Sequence, residues 1–167
     1  DNIYLNLGQQ QALEQNIRKE IPRTKQVGQE EIFQTGNFTL YQINKKWEDE
    51  NAGSSVFYVT HPDLTVLLMA DATTKTEAYL QKNYNLKVDI VKIGHHGSNT
   101  STSLSFLKKT KPRLALISVG ENNRYHHPSK EVLDRLSTQN IPYLQTKASG
   151  TITIYPQTEE VVEDIDN

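Results

Sequence analysis

The feature that most constrains this fold is a pair of apolar runs separated by a segment of helical character. The first run, Leu64–Ala70, ends on the single acid Asp71, and the second, Val88–Ile93, ends on a Gly-His-His-Gly-Ser motif at 94–98. Two buried strands joined through a helix form a crossover unit, so the strands run parallel and their carboxyl ends share one edge of the sheet. Open α/β sheets usually bind ligands at that edge. We therefore expect a carboxylate and two imidazoles to lie together there.

Further strands and helices surround this unit. Turn residues at 35–37 and 61–63 predict two antiparallel hairpins, and a third buried strand is expected at Leu114–Val119. The residues Thr74 to Glu77 have the pattern of a capping box, and Ser129 is expected to cap a later helix. The remaining expected elements are a polar helix at Gln9–Ile21, a short helix at about Leu104–Lys109, and strands at Tyr143–Gln145 and Thr151–Tyr155. The sequence therefore predicts an α/β fold with antiparallel strands first and strand–helix units later.

Length and composition limit the possible functions. The 167 residues predict a single domain, 1–167, with a polar helix and loop at 1–30 and an acidic tail at 157–167. The net charge of −2 does not favour strong sequence-independent binding of nucleic acid by this chain alone. Because there is no cysteine, a disulfide or a thiolate metal site is excluded.

Asp71, His95 and His96 are the strongest candidates for chemistry. An acid in the place of Asp71 is often only a complement to a helix dipole, but its position at a strand end, beside another polar strand end, favours a ligand. Carboxylate together with imidazole is typical of zinc, manganese or iron sites. Since adjacent side chains in an extended turn diverge, we expect one histidine to bind a metal with Asp71 and the other to face substrate.

Several polar residues follow the second and third strands. The polar side chains that follow the histidines either cap the short helix near Leu104 or bind an anionic substrate; they are Ser98, Asn99, Thr100 and Ser101. Arg124 could pair with a phosphate or form an ordinary surface salt bridge. Asn123, Tyr125 and His127 are expected on the same rim if the third strand is parallel. His61 lies in a tight hairpin, and we interpret it as a structural or surface residue.

Three motifs resemble a known family. They are LLMADAT at 67–73, DIVKIGHHGSNTSTS at 89–103 and ISVGENNRYHHPSKEVLDRL at 117–136. In this order they resemble the second half of the metallo-β-lactamase-like domain of the ComEC family, which serves DNA uptake in bacterial competence. The resemblance covers residues 51 to 154, and it departs from the family at Ala70 and His126, where the family usually has glycine.

The resemblance implies a metallo-β-lactamase-like αββα sandwich, of which this chain is the C-terminal half with a mixed sheet and flanking helices. In such a domain Asp71 bridges two divalent metals, zinc or manganese, and His96 is a further ligand. His95 would contact the scissile phosphate, and His95 or His127 would assist the leaving oxygen as catalytic residues. Ser98, Asn123 and Tyr125 would bind substrate.

The family's HxHxDH motif is absent from this chain. Asp71 and His96 are two ligands, whereas a catalytic zinc normally takes three or more from the protein. The resemblance therefore implies an incomplete metal centre that needs the N-terminal half of the same domain. It also implies DNA, single-stranded or duplex, as the substrate. The parent protein would be embedded in the bacterial cell membrane, with this soluble domain facing outward.

Three alternatives remain open at this point. A secreted phosphorylcholine esterase of the same superfamily would share the acid and the HHGS element and act on cell-wall teichoic acid. A catalytically inert binding module would keep the fold without the reaction, and the missing HxHxDH motif favours it for this chain. A separate subunit that completes the site is the third possibility.

Overall fold

The computed structural model describes residues 3–5, 24–26, 30–44, 51–156 and 160–164. Within them the fold is α/β, as predicted. The strands are β1 (Ile3–Leu5), β2 (Thr24–Gln26), β3 (Glu30–Thr35), β4 (Phe38–Gln42), β5 (Phe57–His61), β6 (Leu64–Leu68), β7 (Ile90–Lys92), β8 (Leu114–Ile117), β9 (Tyr143–Gln145), β10 (Thr151–Tyr155) and β11 (Glu160–Asp164). The helices are α1 (Thr74–Asn83), α2 (Leu104–Thr110), α3 (Lys130–Thr138) and the single turn α4 (Thr146–Ser149).

A seven-stranded mixed sheet organises the domain. Its order is β3-β4-β5-β6-β7-β8-β9, antiparallel from β3 to β6 and parallel from β6 to β9. The predicted hairpins and the parallel crossover unit are thus confirmed. Two small strand pairs lie outside this sheet: β1 pairs with β2, and β10 pairs with β11. Strand β11 lies within the stretch predicted as an acidic tail.

One face of the large sheet carries the hydrophobic core. Leu67, Val91 and Ala115 lie on neighbouring strands and are 0% exposed. They belong to the same buried cluster as the helix side chains of Leu80 and Phe106, so α1 and α2 cover this face. Burying the apolar stripe of each helix against the sheet is what stabilises such a layer.

The opposite face is also apolar but is only partly covered. The register aligns a row of five side chains, one from each of five neighbouring strands, and none of them belongs to the helix-side core. Ile90 is buried, and the other four side chains are half-buried. The row consists of Leu40, Val59, Val66, Ile90 and Leu114. We call it the open face.

The capping-box prediction at Thr74 is wrong. The N-cap of α1 is Thr73, and no side chain caps the helix. The amide of Thr74 instead donates to the carbonyl of Thr100, at 2.9 Å. Glu77, the expected partner in the box, is 1% exposed and bonds to another loop. A packed loop has therefore replaced the local cap.

The cap of α2 also differs from expectation. Ser103 is its N-cap and accepts a hydrogen bond from the amide of Phe106. Ser129 caps α3 as predicted, accepting from the amide of Val132. The expected helix at Gln9–Ile21 lies outside the described residues. No helix among the residues that are described combines the length and apolar character needed to span a bilayer.

Candidate metal centre at the carboxyl edge of the sheet

Three loops leave the carboxyl ends of β6, β7 and β8 side by side. We call them the acid turn (69–72), the histidine turn (94–98) and the third loop (118–129). The acid turn is closed by a hydrogen bond from the amide of Ala72 to the carbonyl of Met69, at 2.9 Å. It joins the histidine turn through the amide of His95, which donates to the carbonyl of Ala70 at 2.9 Å. The parallel order of the strands thus brings the predicted site residues to one rim.

Two glycines allow the three loops to pack against each other. A Cβ atom added at Gly94 would lie 2.6 Å from the carbonyl oxygen of Ala72, and one at Gly97 would lie 2.6 Å from Cβ of Pro128. The Gly97 carbonyl also accepts the amide of Ser129, at 2.9 Å. The glycines of the Gly-His-His-Gly motif are therefore needed for close backbone approach.

His96 is the histidine that faces Asp71. Its Nε2 lies 3.5 Å from Oδ1 of Asp71, and the two side chains are 48% and 45% exposed. Its Nδ1 lies 2.7 Å from the carbonyl oxygen of Ser118, which can only accept a hydrogen bond. Nδ1 therefore carries a proton, and Nε2 is the ring nitrogen that faces Asp71. A second hydrogen bond of this kind fixes the ring of most metal-binding histidines.

His95 points to a different neighbour. Its ring centroid lies 6.0 Å from that of His127 in an edge-to-face arrangement. The ring of Tyr125 stacks on that of His127, with 5.8 Å between the two ring centroids. Both histidines of the turn have left-handed backbone angles, with φ of 48° and 54°. This conformation makes the two adjacent side chains diverge, one toward the carboxylate and one toward the third loop.

The surroundings of His127 favour the neutral form of its imidazole. Burial lowers its pKa below the ordinary value, and the nearby His95 and His96 lower it further by charge repulsion. Its Nδ1 is buried and has no hydrogen-bond partner. A neutral ring can donate one hydrogen bond and accept another, which suits a proton-handling group at this rim.

The predicted substrate-binding residues differ in how free their polar atoms are. Asn123 accepts the amide of His127 at 2.7 Å and donates to the carbonyls of His127 and Gly120. Ser98 is 6% exposed, and its hydroxyl lies 3.0 Å from that of Thr100. Both residues therefore brace their own loops. Tyr125 is 62% exposed, and its hydroxyl accepts a hydrogen bond from the guanidinium of Arg124.

Lys92 belongs to the site although the sequence analysis did not select it. It is the last residue of β7, and its Nζ donates to the carbonyl of Ala70, at 3.2 Å. Burial lowers the pKa of Lys92, and the negative charge of Asp71 opposes that shift. The sequence feature that could have pointed to Lys92 is the presence of a lysine inside the apolar run Val88–Ile93.

A buried carboxylate supports the loop that follows the histidine turn. Glu77 accepts hydrogen bonds from the amides of Thr102 and Ser103. Arg135 holds the same loop from the other side and donates to the carbonyl of Ser101 at 2.9 Å. Helices α1 and α3 thereby clamp the segment that leads from the histidine turn into α2.

Asp71 and His96 fit one part of a divalent metal centre. Their donor atoms face each other, and the imidazole has the orienting hydrogen bond that such a ligand needs. Among the residues that the structure describes, no group of three or more histidine, cysteine, aspartate or glutamate side chains could hold a metal. That Asp71 and His96 are metal ligands, in a centre completed by other parts of the domain, stays a prediction.

Comparisons with known proteins place these residues in a family. No protein-family model matches the chain. ComE operon protein 3 of Bacillus subtilis is 32% identical over 142 residues, which are 83% of this chain and 18% of that protein. Competence protein ComA of Neisseria gonorrhoeae is 38% identical over 115 residues, or 68% of this chain and 17% of that protein.

A third relative, Recombination protein 2 of Haemophilus influenzae, is 34% identical over 105 residues, covering 63% of this chain and 13% of that protein. The chain thus spans less than a fifth of the length of each of these relatives. On this similarity the chain belongs to the ComEC family of competence proteins, as the counterpart of one segment of those longer proteins.

Proposed function

We propose that this chain is the C-terminal half of a metallo-β-lactamase-like domain that hydrolyses phosphodiester bonds in DNA during competence. The observation that carries the proposal is the pairing of Asp71 with His96, whose ring is oriented by the Ser118 carbonyl. The relatives named for competence support a role in DNA uptake. The parent protein would sit at the bacterial cell membrane with this domain outside.

The open face supports the proposed αββα sandwich. A sheet whose apolar face is only half-buried gains stability when a second layer covers it, at about 25 cal/mol for each Å² removed from water. In the proposed domain the N-terminal half supplies that layer and the missing ligands. Seven strands with helices on one face are half of such an arrangement.

In the proposed reaction Asp71 and His96 hold zinc or manganese together with ligands from the N-terminal half. When bound, two divalent ions supply positive charge to the phosphate oxygens and lower the pKa of a water molecule. Asp71 would hold the metal through its carboxylate, and the Ser118 carbonyl would keep Nε2 of His96 turned toward it. His95 and His127 lie beside this pair, where an imidazole N–H can donate to the leaving oxygen.

An inert binding module is the second candidate. The specific observation in its favour is that the described residues offer two ligands and no group of three. The two candidates differ in one consequence. The hydrolase gains tight metal binding when the N-terminal half is supplied, whereas the inert module does not.

Metal binding tests the site. Mn²⁺ is titrated into this chain, and paramagnetic broadening of the NMR signals around Asp71 and His96 reports occupancy. Asp71→Ala and His96→Ala should each weaken binding by about tenfold or more, since loss of even an outer-shell partner typically costs 10–100-fold. His126→Ala is the matched control, because His126 is an exposed histidine of the third loop and is expected to leave binding unchanged. Equal affinity of the Asp71→Ala and wild-type chains would contradict the site.

Activity is then tested on the longer protein that includes the preceding half of the domain. Hydrolysis of a fluorescent single-stranded and a duplex oligonucleotide should require Mn²⁺ or Zn²⁺ and be lost in Asp71→Ala. A phosphorylcholine ester serves as the competing substrate. Metal-loaded protein that leaves both DNA substrates intact would refute the nuclease.

A further inference from the structure

Lys92 lies in an unusual place for a charged side chain. The register sets it between Leu68 and Leu116, on the open face at the row nearest the rim. Its side chain is partly buried. An ammonium among apolar neighbours is costly unless it has a hydrogen-bond acceptor, and long side chains usually extend such a group into water. Here the ammonium bonds to a backbone carbonyl instead.

That carbonyl belongs to Ala70, the residue that directly precedes Asp71 in the chain. The oxygen of Ala70 accepts both the ammonium of Lys92 at 3.2 Å and the amide of His95 at 2.9 Å. Ala70 has φ of 47°, a left-handed conformation that a residue with a Cβ adopts at a cost. The acid turn is therefore a strained loop in which one carbonyl oxygen, that of Ala70, accepts hydrogen bonds from both Lys92 and the histidine turn.

We infer that Lys92 is a positioning residue that holds the strained acid turn against the histidine turn, so that Asp71 meets His96. The inference rests on the proposed role of Asp71 as a metal ligand. It gives the lysine a function beyond filling the sheet, because its bond to Ala70 sets the direction of the next residue. The same contact explains why a cation is tolerated beside a metal centre.

The direction in which a single substitution changes the affinity for Mn²⁺ tests this inference. Lys92→Met keeps the apolar stem and removes the ammonium. If Lys92 only repels a metal, Mn²⁺ should bind more tightly to the variant, because a like charge has gone. If Lys92 positions Asp71, Mn²⁺ should bind about tenfold more weakly despite the lost repulsion, as with other outer-shell partners. Lys108→Met, on an exposed lysine of α2, is the matched control with no change expected.

Two further variants separate positioning from general stability. Lys92→Arg keeps a donor for the Ala70 carbonyl and should stay within about twofold of the wild-type affinity, whereas Lys92→Gln should resemble Lys92→Met. This pair keeps the test decisive if Lys92→Met does not fold. In folded Lys92→Met, faster amide exchange should be confined to His95 and the acid turn.

The Ala70→Gly background provides a coupling test. Glycine adopts the left-handed turn without strain, so the acid turn should depend less on its brace. Lys92→Met should then weaken Mn²⁺ binding by only about threefold in that background, against about tenfold in the wild-type chain.

The two proposals fail differently. Unchanged or tighter Mn²⁺ binding in Lys92→Met, with Asp71→Ala still losing affinity, would overturn the role of Lys92 alone. Equal binding by Asp71→Ala and wild type would remove the metal site and the inference with it. An equal loss in Lys92→Arg and Lys92→Gln would also overturn the inference, because the donor would then be irrelevant.

Discussion

Two residues replace a glycine that the family usually has, and both have left-handed backbone angles. Ala70 has φ of 47° and His126 has φ of 55°. The resemblance identified the positions, and the structure gives the physical reason for glycine there. We predict that Ala70→Gly and His126→Gly each raise the free energy of unfolding by about 0.5–1 kcal/mol, the relieved strain less the added entropy of the unfolded chain.

Urea denaturation checks this prediction. The control is Ala78→Gly, at an exposed interior position of α1, which should lower the free energy of unfolding by about 1 kcal/mol because helical angles need no glycine. Opposite signs at Ala70 and Ala78 are expected. The same sign at both would contradict the strain argument.

Glu77 should make stability depend on pH. Burial raises its pKa above the ordinary 4.5, against the opposing effect of its hydrogen bonds to the loop at 102–103 and the charge of Arg135. The folded chain then holds a proton that the unfolded chain has already released. Stability from this group is therefore full below pH 4.5 and is lost as the pH rises through the raised pKa.

The measurement compares wild type with Glu77→Gln in urea from pH 4 to pH 8. Below pH 4.5 the variant should be about as stable as wild type, because the protonated carboxyl group of Glu77 and the amide of the variant each present a donor to the two backbone amides. It should also lack the part of the slope that Glu77 causes. Parallel stability curves for the two chains would contradict this.

At the scale of elements, glycines decide whether the three rim loops can meet. Three glycines allow the cost of backbone strain to be distinguished from the cost of steric crowding. Gly36 has φ of 54° and open space around it, Gly94 is crowded without a positive φ, and Gly97 has both. We predict that alanine costs about 1 kcal/mol at Gly36, about 1–3 kcal/mol at Gly94 and about the sum at Gly97.

Chemical denaturation gives the three costs, and Mn²⁺ titration shows which of them affect the site. Gly36→Ala should leave the NMR signals of Asp71 and His96 in place, whereas Gly94→Ala should shift them. A cost at Gly97 no larger than that at Gly36 would mean that the contact with Pro128 gives way freely.

The helix starts show where local patterns mislead. Thr74 and Glu77 had the spacing of a capping box, but the loop at 100–103 supplies a carbonyl to Thr74 and amides to Glu77. A distant segment thus satisfied the same groups more completely than a local cap. Ser129 caps its helix as the pattern predicts, because its side chain accepts the amide of Val132.

At the scale of the whole molecule, the two faces of the large sheet should respond oppositely to charge. Val66 and Leu67 are neighbours in β6, one half-buried on the open face and one 0% exposed in the core. Leu67→Lys should cost about 3–5 kcal/mol or prevent folding, while Val66→Lys should cost about 1 kcal/mol or less, since its ammonium can reach water.

Circular dichroism and urea denaturation of this chain check the difference. In the longer protein Val66→Lys should prevent docking of the N-terminal half and reduce metal affinity, although the residue is remote from the site. A Val66→Lys chain that unfolds like Leu67→Lys would mean that the open face is already fully packed.

The sequence by itself determined that the strands before Asp71 and before the histidine turn run parallel and end at one rim. A helical segment between two apolar runs predicts parallel strands, so Asp71 and His96 were expected to share an edge. His127 was expected there only if the third strand is parallel, which the structure confirms. Hydrophobic period and chain connectivity are local properties, so they can be derived without contacts. The family was also visible in the residue order, whereas the metal site stays a prediction.

Only the tertiary structure decided which histidine faces Asp71, which loop atoms orient it, and which polar residues are already occupied. The Ser118 carbonyl, the Ala70 carbonyl bound by Lys92, and the loop amides bound by Glu77 are groups contributed by distant parts of the chain. Backbone carbonyls and amides are identical at every residue, so no pattern of side chains identifies the ones that a fold will use.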